Sequence, residues 1–229
     1  MGESDIMKNP KYPGCRIHQT ALIEEDVDIG EGTAVWDNVH IRRGASIGKG
    51  CIIGEKTYIA YDVRIGNYCK LNANVYVCAG VTVADHVMLS AHVVFTNDRY
   101  PRAFDRVLDG LAESGPTEDT LSTRVEPGVT IGANATIGPG LRIGSFAMVG
   151  MGSVVTREVP SHALVFGSPA RIAGYVCACG PLLARSEQWN ADAPGTRYSC
   201  PRCGRVYRKG TEIPEQIQGP VELSTTGPA

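Results

Sequence analysis

An aliphatic or phenylalanine side chain occupies every sixth position along two long stretches of this chain. The series runs without a gap from Ile17 to Phe95, resumes at Val125 and continues to Val155. The residue four places after each member is small or compact, and the residue directly after it is often Gly or Ala. Neither the 3.6-residue period of a helix nor the two-residue period of an ordinary strand produces this pattern.

A period of six predicts one short strand and one corner per repeat, so that three repeats close a triangular coil. The large aliphatic side chains then fill the interior, and each coil covers its neighbour. Aromatic residues make up 7% of the sequence and Gly numbers 27, which suits a core of small side chains and tight turns. We therefore predict an all-β fold, a parallel β-helix over residues 17–176, preceded by an N-terminal segment, residues 1–16.

One long insertion interrupts the repeat. Residues 96–124 contain Pro, Asp and Gly but no hexad. An insertion of this length inside a compact domain is usually functional, so we expect this loop to cover a site. A tolerated surface insertion is the alternative.

A segment with paired cysteines follows Val176. Cys177 and Cys179 form one pair, and Cys200 and Cys203 form a second, each pair followed by Gly. Four thiolates suit tetrahedral Zn²⁺, and the absence of a nearby His or carboxylate favours a closed, structural site. We predict a zinc ribbon over residues 177–210, which hydrophobic burial alone would not fold, and a flexible tail over 211–229. The ribbon could cap the coil, mediate trimer contacts or recruit a protein partner.

Composition excludes several classes of partner. The net charge of −2 and the lack of a Lys or Arg run argue against nucleic acid. No stretch reaches the ~20 apolar residues of a membrane span, and the N-terminus lacks a signal-peptide core, so we expect a cytoplasmic protein.

Cys51 and Cys69 fall on the small interior position of the hexad, whereas Cys15 and Cys78 receive no assignment.

Three segments together resemble the hexapeptide-repeat acyltransferases: the hexads, FTNDRYPRA at 95–103, and GMGSVVTREVPSHALVFGSPARIAGYV at 150–176. Within them the chain is most similar to the N-acetyltransferases of nucleotide-linked 3-amino sugars. The resemblance implies a left-handed coil and a homotrimer with active sites between subunits. It also implies acetyl-CoA as co-substrate and N-acetylation of a small acceptor, a nucleotide-linked amino sugar. O-acetylation of a sugar hydroxyl, and a non-catalytic trimeric scaffold with a partner on its zinc ribbon, stay open.

Because three hexads make one turn, residues eighteen apart stack on each other. Asn74 and His92 therefore share a corner column, above Asn38 and Lys56. An amine attacks a thioester as the free base, and imidazole is the side chain that exchanges protons near neutral pH. We interpret His92 as the general base, under the loop, with Asn74 beside it. A corner residue without a chemical role is the alternative.

Four polar loop residues are candidates for acceptor binding. Asp98 could hold an ammonium or a sugar hydroxyl, and Asn97 offers both donor and acceptor atoms. Arg99 and Arg102 could bind a nucleotide diphosphate, because guanidinium contacts phosphate oxygens bidentately. Simple solvation of both arginines is the alternative.

The donor site is suggested by the resemblance alone. It implies that Ala133 and Met151, eighteen residues apart, line the pantetheine groove, that Thr156 and Arg157 approach the CoA phosphates, and that Arg171 closes the adenine end. Met151 departs from the pattern, since such enzymes commonly carry Ala there, and its larger side chain would narrow the groove.

Further departures concern the acceptor and a rival activity. Ala60 and Tyr61 stand where the nucleotide-sugar enzymes tend to have an acidic residue and an Asn, which puts the sugar in doubt. Trp36 is expected to pack on a neighbouring subunit or the N-terminal segment.

A γ-type carbonic anhydrase needs three His ligands on one zinc, but His86 and His92 are six apart and belong on different corners.

Overall fold

A computed structural model of the protein describes residues 6–7, 10–104, 110–112 and 115–219. Its strands through the coil are short, and most contain two residues. In chain order they are β1 (Ile6–Met7), β2 (Arg16–His18), β3 (Leu22–Ile23), β4 (Asp28–Ile29), β5 (Ala34–Val35), β6 (His40–Ile41), β7 (Ser46–Ile47), β8 (Ile52–Ile53), β9 (Tyr58–Ile59), β10 (Arg64–Ile65), β11 (Lys70–Leu71), β12 (Tyr76–Val77), β13 (Val81–Val83), β14 (Met88–Leu89), β15 (Val94–Phe95), β16 (Thr123–Val125), β17 (Thr130–Ile131), β18 (Thr136–Ile137), β19 (Arg142–Ile143), β20 (Met148–Val149) and β21 (Val154–Val155).

These strands form the three flat faces of a triangular coil. Face A contains β2, β5, β8, β11, β14, β17 and β20; face B contains β3, β6, β9, β12, β15, β18 and β21; face C contains β4, β7, β10, β13, β16 and β19. Neighbours pair in parallel, and Lys70 lies beside Met88, eighteen residues on. The predicted hexapeptide β-helix is therefore confirmed, and its hand is the left-handed one.

The core is the hexad series itself. Ile41, Leu71 and Ile131 are fully buried, as are most members of the series. Burial of each such side chain stabilises the fold by roughly 1.5–3 kcal/mol. Cys51 and Cys69 occupy the interior as predicted, with Cys51 Sγ 3.2 Å from the Gly66 carbonyl oxygen.

Three edges join the faces, and they are named here by the faces they connect. The AB edge comprises residues 36–39, 54–57, 72–75, 90–93, 132–135 and 150–153; the BC edge comprises 24–27, 42–45, 60–63, 78–80, 138–141 and 156–158; the CA edge comprises 30–33, 48–51, 66–69, 84–87, 126–129 and 144–147. Most corners place one residue in the left-handed region, such as Lys56 at φ 57°. Gly54 allows the next coil to approach, because a Cβ there would lie 2.6 Å from the Asn72 carbonyl carbon.

The loop leaves the coil at the BC edge, between β15 and β16. Val83 pairs with Val125, so the loop adds a detour without disturbing the stacking of the coils. The loop begins as two paired arms: the Leu121 amide donates to the Asn97 carbonyl at 2.7 Å, and Asp98 bridges to Thr120.

Beyond the coil the chain forms further strands and a short helix: β22 (Ala163–Gly167), β23 (Ala170–Val176), β24 (Leu182–Arg185), α1 (Ser186–Ala191), β25 (Arg197–Ser199), β26 (Val206–Lys209) and β27 (Pro214–Gln218). Strand β22 continues face A beside β20, and β23 and β24 extend it antiparallel. Strands β25, β26 and β27 form a separate three-stranded sheet.

Two features of this region differ from the sequence prediction. Residues 214–218, assigned to the flexible tail, form β27 and pair with β26. Most of their side chains are exposed, so their hydropathy carries no strand signal. The polar link between the cysteine pairs contains α1, whose Trp189 is buried against Tyr175 at 4.3 Å between ring centroids. Residues 220–229 of the predicted tail lie outside the described residues. Among the residues described, no helix is long and apolar enough to cross a membrane.

Candidate functional site

A cavity of about 890 Å³ lies between the loop and the coil, where face B meets the BC edge. This volume falls in the range typical of small-molecule sites. The coil contributes small corner residues and the rings of two tyrosines on face B, and the loop closes the other side. The lining residues are Tyr58, Ala60, Tyr61, Tyr76, Cys78, Ala79, Asn97, Asp98, Tyr100, Pro101, Arg102, Phe104, Ala112, Gly115, Pro116, Thr117, Glu118 and Asp119.

Three of the four predicted acceptor-binding residues line this cavity. They are Asn97, Asp98 and Arg102, whereas Arg99 does not line it. The Asn97 Nδ2 atom donates to the Ala79 carbonyl at 3.2 Å, so this side chain also fastens the loop to the coil. Asp98 is exposed, and its position is fixed by a hydrogen bond from Thr120.

Two groups in the cavity are held in their neutral forms. Burial raises the pKa of Cys78 to about 12, and the negative charge of Asp98 adds to this effect. Burial also raises the pKa of Tyr76, with Asp98 again a contributor. Cys78, which the sequence left unassigned, is therefore a protonated thiol in the wall of the cavity near neutral pH.

The predicted base lies on a different edge from the loop. Asn74 and His92 stack on the AB edge as predicted, with φ of 57° and 60°, and the His92 amide donates to the Ala73 carbonyl at 3.0 Å. His92 is exposed and is absent from the lining of the cavity. The expectation that the loop covers His92 is wrong within one chain, because β15 carries the backbone across face B before the loop begins.

The residues suggested for the donor groove also divide between two edges. Ala133 and Met151 stack on the AB edge, where the Gly152 amide donates to the Ala133 carbonyl at 2.8 Å. Met151 is 83% exposed. Thr156 and Arg157 follow β21 onto the BC edge, and Arg171 lies on β23. One chain therefore does not assemble these five residues into one groove.

A polar network beside the cavity was missed by the sequence analysis. Glu24 Oε1 lies 3.0 Å from His40 Nε2 and 2.8 Å from Arg42 Nε. A hydrogen bond from the Arg43 amide, together with His40 and Arg42, lowers the pKa of Glu24. The Arg42 guanidinium also lies 4.2 Å from the ring centroid of Tyr61, which lines the cavity. The eighteen-residue rule, applied to the outward positions of face B, would have aligned His40 with Tyr58.

The two histidines weighed against a carbonic anhydrase of the γ type lie on different edges of the chain. His86 lies on the CA edge, stacked on Tyr68 at 5.3 Å, while His92 lies on the AB edge. This is the separation that the six-residue spacing predicted.

The four predicted metal ligands converge. The Sγ atoms of Cys177, Cys179, Cys200 and Cys203 all lie within 4.8 Å of one another. Three of the separations are 3.5, 3.6 and 3.5 Å. Zn–S bonds of ~2.3 Å in a tetrahedron place sulfurs about 3.8 Å apart, whereas a disulfide places them about 2.0 Å apart. The donor set therefore fits a tetrahedral zinc ion.

An aromatic chain connects this cysteine cluster to the coil. The Tyr207 hydroxyl accepts a hydrogen bond from the Ala178 amide at 3.0 Å and lies 3.3 Å from Cys177 Sγ. The Tyr207 ring meets the His162 ring edge to face at 5.3 Å, and His162 stacks on Phe146 at the CA edge. The module that carries the cysteine cluster is thus packed directly on the last coils.

Part of this chain is similar in sequence to a sugar N-acetyltransferase. A 76-residue segment is 42% identical to the dTDP-3-amino-3,6-dideoxy-alpha-D-galactopyranose 3-N-acetyltransferase of Aneurinibacillus thermoaerophilus, covering 33% of this chain and 40% of that enzyme. The chain thus spans less than half the length of this curated relative.

Solved structures with a similar coil include two acetyltransferases. A variant of GDP-perosamine N-acetyltransferase from Caulobacter crescentus, in complex with CoA and GDP-perosamine, is 24% identical, with a TM-score of 0.46 over 70% of this chain and 56% of that one. A hexapeptide-repeat acetyltransferase from Vibrio cholerae, complexed with acetyl coenzyme A, is 26% identical, with a TM-score of 0.46 over 58% of this chain and 72% of that one.

The repeat itself is recognised by two family models. The bacterial transferase hexapeptide model matches residues 26–61, 62–97 and 122–157. The model for the hexapeptide repeat of succinyl-transferase matches residues 44–79. These segments are the stacked coils on both sides of the loop, so the hexapeptide repeat of bacterial transferases accounts for a little under half of the chain.

Proposed function

We propose that this protein is an acetyl-CoA-dependent N-acetyltransferase that acts on the amine of a small acceptor, a nucleotide-linked amino sugar. The observation that carries the proposal is the loop-covered cavity with Asp98 in its wall, on the coil of a transferase family. The 42% identity to a dTDP-3-amino-sugar 3-N-acetyltransferase over 76 residues supports the class of acceptor.

The proposed chemistry assigns one task to each polar group. Acetyl-CoA, when bound, supplies a thioester whose carbonyl carbon is attacked by the acceptor nitrogen. We assign His92 to accept the proton that leaves this nitrogen, because its imidazole is exposed and near the donor-groove residues Ala133 and Met151 on the same edge. Asn74, one coil below, is assigned to orient the acyl group through its amide. Asp98 is assigned to hold the acceptor.

The division of these residues between two edges supports a site shared by neighbouring chains. His92 lies on the AB edge and the loop leaves from the BC edge. In a closed homotrimer with head-to-tail contacts, every chain presents one edge to the other edge of its neighbour. His92 of one chain would then face the loop of the next, and Thr156 and Arg157 would meet the column of Ala133.

We also propose that the four cysteines hold a structural Zn²⁺ ion. The thiolates leave no position for substrate, and the cluster lies against the end of the coil rather than in the loop cavity. Its role in this proposal is to fold the C-terminal module. The module then supports the end of the coil and strand β23, on which Arg171 lies.

The test of the activity is acyl transfer by the purified, zinc-replete protein. Acetyl-CoA is mixed with a panel of amines that includes dTDP- and UDP-linked 3-amino sugars, and released thiol is measured. We expect transfer to at least one amine, and a fall of about 10²–10⁴ in kcat for His92→Asn, the range typical of a lost general base. Asn is chosen because it tolerates the left-handed backbone at this corner.

The matched control is His86→Asn. His86 is also an exposed corner histidine with positive φ, at 59°, but it lies on the CA edge. Its replacement should leave kcat close to that of the parent protein. Failure of CoA to bind, or transfer to no amine in the panel, would contradict the proposed activity. An equal loss in both variants would contradict the assignment of His92.

A further inference from the structure

A charged pair lies directly beside the loop cavity, on the BC edge. Glu24 and Arg42 follow each other in one column of this edge, and the same column continues with Ala60 and Cys78. Glu24 Oε1 lies 2.8 Å from Arg42 Nε, and Glu24 Oε2 accepts a hydrogen bond from the Arg43 amide at 2.9 Å. The two residues after Arg42 in the column are small, so they leave room for its guanidinium beside the cavity wall.

The guanidinium of Arg42 contacts two tyrosines of the cavity wall. Its Cζ atom lies 4.2 Å from the ring centroid of Tyr61, and its Nη1 atom donates a hydrogen bond to the Tyr58 hydroxyl oxygen at 3.3 Å. Tyr58 and Tyr61 line the cavity, whereas Arg42 and Glu24 do not. A carboxylate, a ring face and a phenol therefore hold this guanidinium in one place.

The hydrogen bond from Arg42 also determines where the Tyr58 hydroxyl can donate. A phenol has one O–H donor and accepts hydrogen bonds on the same oxygen, whereas a guanidinium only donates. Because the Arg42 N–H occupies the acceptor side of the oxygen, the Tyr58 proton points away from Arg42. Among the residues that the structure describes, none accepts a hydrogen bond from Tyr58. The proton is therefore available to a molecule in the cavity.

The ring of Tyr58 is held on two sides as well. His40 meets it edge to face at 5.4 Å, and Tyr76 stacks on it at 5.2 Å, within 9° of parallel. His40 is itself fixed, because its Nε2 atom lies 3.0 Å from Glu24 Oε1. Tyr76 lines the same cavity, but its hydroxyl has no hydrogen-bond partner within the described part of the chain. Of these two stacked phenols, only that of Tyr58 is oriented by the protein.

We propose that Tyr58 is a specificity-determining residue, whose hydroxyl donates a hydrogen bond to a sugar oxygen of the acceptor, and that Arg42, anchored by Glu24, is the positioning residue that acts through it. This inference rests on the proposed N-acetyltransferase function and assigns residues that hold the uncharged part of the acceptor. His92, the proposed base, lies on a different edge. The loss of this hydrogen bond should therefore weaken binding of the acceptor and leave kcat nearly unchanged.

Calorimetric binding without acetyl-CoA tests this proposal independently of catalysis. The probes are a dTDP-linked 3-amino-3,6-dideoxyhexose and dTDP alone. Tyr58→Phe removes only the hydroxyl and should weaken binding of the sugar nucleotide about two- to tenfold, the range of one hydrogen bond, with no change for dTDP. Arg42→Lys keeps the charge but lacks the planar fork that bridges Glu24 and Tyr58, and should cause a similar loss. The double variant should bind no more weakly than Tyr58→Phe, because both changes remove the same hydrogen bond.

Two variants serve as matched controls. Tyr76→Phe removes the hydroxyl that no protein group orients, from the same cavity. Arg142→Lys alters an arginine that also pairs with a glutamate, Glu126 at 3.2 Å, but outside the cavity lining. Both controls should bind the sugar nucleotide like the parent protein. In the thiol-release assay, Tyr58→Phe should raise KM for the amine and keep kcat within about twofold of the parent value.

Several outcomes would overturn the inference: no binding of the sugar nucleotide, unchanged binding by Tyr58→Phe, an equal loss with dTDP alone, an equal loss in Tyr76→Phe, or losses that multiply in the double variant. These outcomes are separable from failure of the proposed function. If thiol is released with an amino sugar that Tyr58→Phe binds like the parent protein, the transferase stands and the inference fails. If the binding pattern holds but no thiol is released, the assignment of Tyr58 stands and the acetyl transfer fails.

Discussion

The coil and the C-terminal cysteine module, residues 177–210, reach a folded state by opposite routes. In the coil, each two-residue strand makes few contacts, but the same apolar position recurs from Ile17 to Val155 and is buried almost throughout. In the module, the second core cluster consists of Cys177, Cys200 and Tyr207, with few apolar neighbours. With the zinc ion that we propose, stability is spread over many equivalent positions in the coil and concentrated on one ligand set in the module.

The largest effect is expected from removing one metal ligand. Cys200→Ser should abolish tetrahedral coordination and unfold the module, because structural zinc supplies on the order of 10 kcal/mol to domains of this size. Hydrogen exchange should show free exchange of the amides of β25 and β26, with the central coils still protected. Cys15→Ser is the control, because this thiol lies outside the cysteine cluster and contacts the Ile29 and Gly30 carbonyls. Retained protection in the module would show that the metal is not needed for its fold.

A core substitution in the coil should lower the free energy of unfolding by less than the loss of a metal ligand, and it should destabilise the coil as a whole. Phe95→Ala empties a fully buried position just before the loop and should lower the free energy of unfolding by about 3–5 kcal/mol. The adjacent outward residue provides the comparison, since Val94→Ala should cost under about 1 kcal/mol. Denaturant midpoints measure both. Equal shifts would contradict the inward assignment of the hexad position.

The corners provide a smaller and more specific effect. Lys56 is exposed, with φ of 57°. A substitution there therefore changes the free energy of unfolding through backbone conformation and not through packing. Lys56→Val should destabilise the coil by about 1–2 kcal/mol, because a β-branched residue is strained there. Lys56→Gly should be neutral or stabilising by up to about 1 kcal/mol. A more stable Val variant in thermal unfolding would refute the left-handed corner.

The smallest effect is expected at a surface ion pair of the module. Arg208 and Glu215 lie 2.6 Å apart but are 53% and 50% exposed. Solvent screening limits such a pair to under about 1 kcal/mol. A double-mutant cycle of Arg208→Gln and Glu215→Gln measures it. A coupling free energy above about 2 kcal/mol would show that the module does not depend on its metal as strongly as the comparison with the coil implies.

Periodic and local features were predictable from the sequence. The coil, the column of Asn74 and His92, and the four-cysteine cluster all follow from fixed spacings, which translate directly into position. The path of the loop does not follow from spacing, because it depends on hydrogen bonds such as that from Asn97 to the coil. Strand β27 was also missed, because it is held by backbone pairing and its side chains are mostly exposed.

The central functional claim is that a site is built from His92 of one chain and the loop of its neighbour. The most direct test mixes two defective chains, His92→Asn and Asp98→Asn, by co-expression, and purifies trimers that carry both tags. Each such trimer contains two chains of one kind and one of the other, so one of its three interfaces has an intact His92 facing an intact Asp98. We therefore predict kcat/KM at about a third of the parent value. Activity no higher than the average of the two variants alone would contradict a shared site.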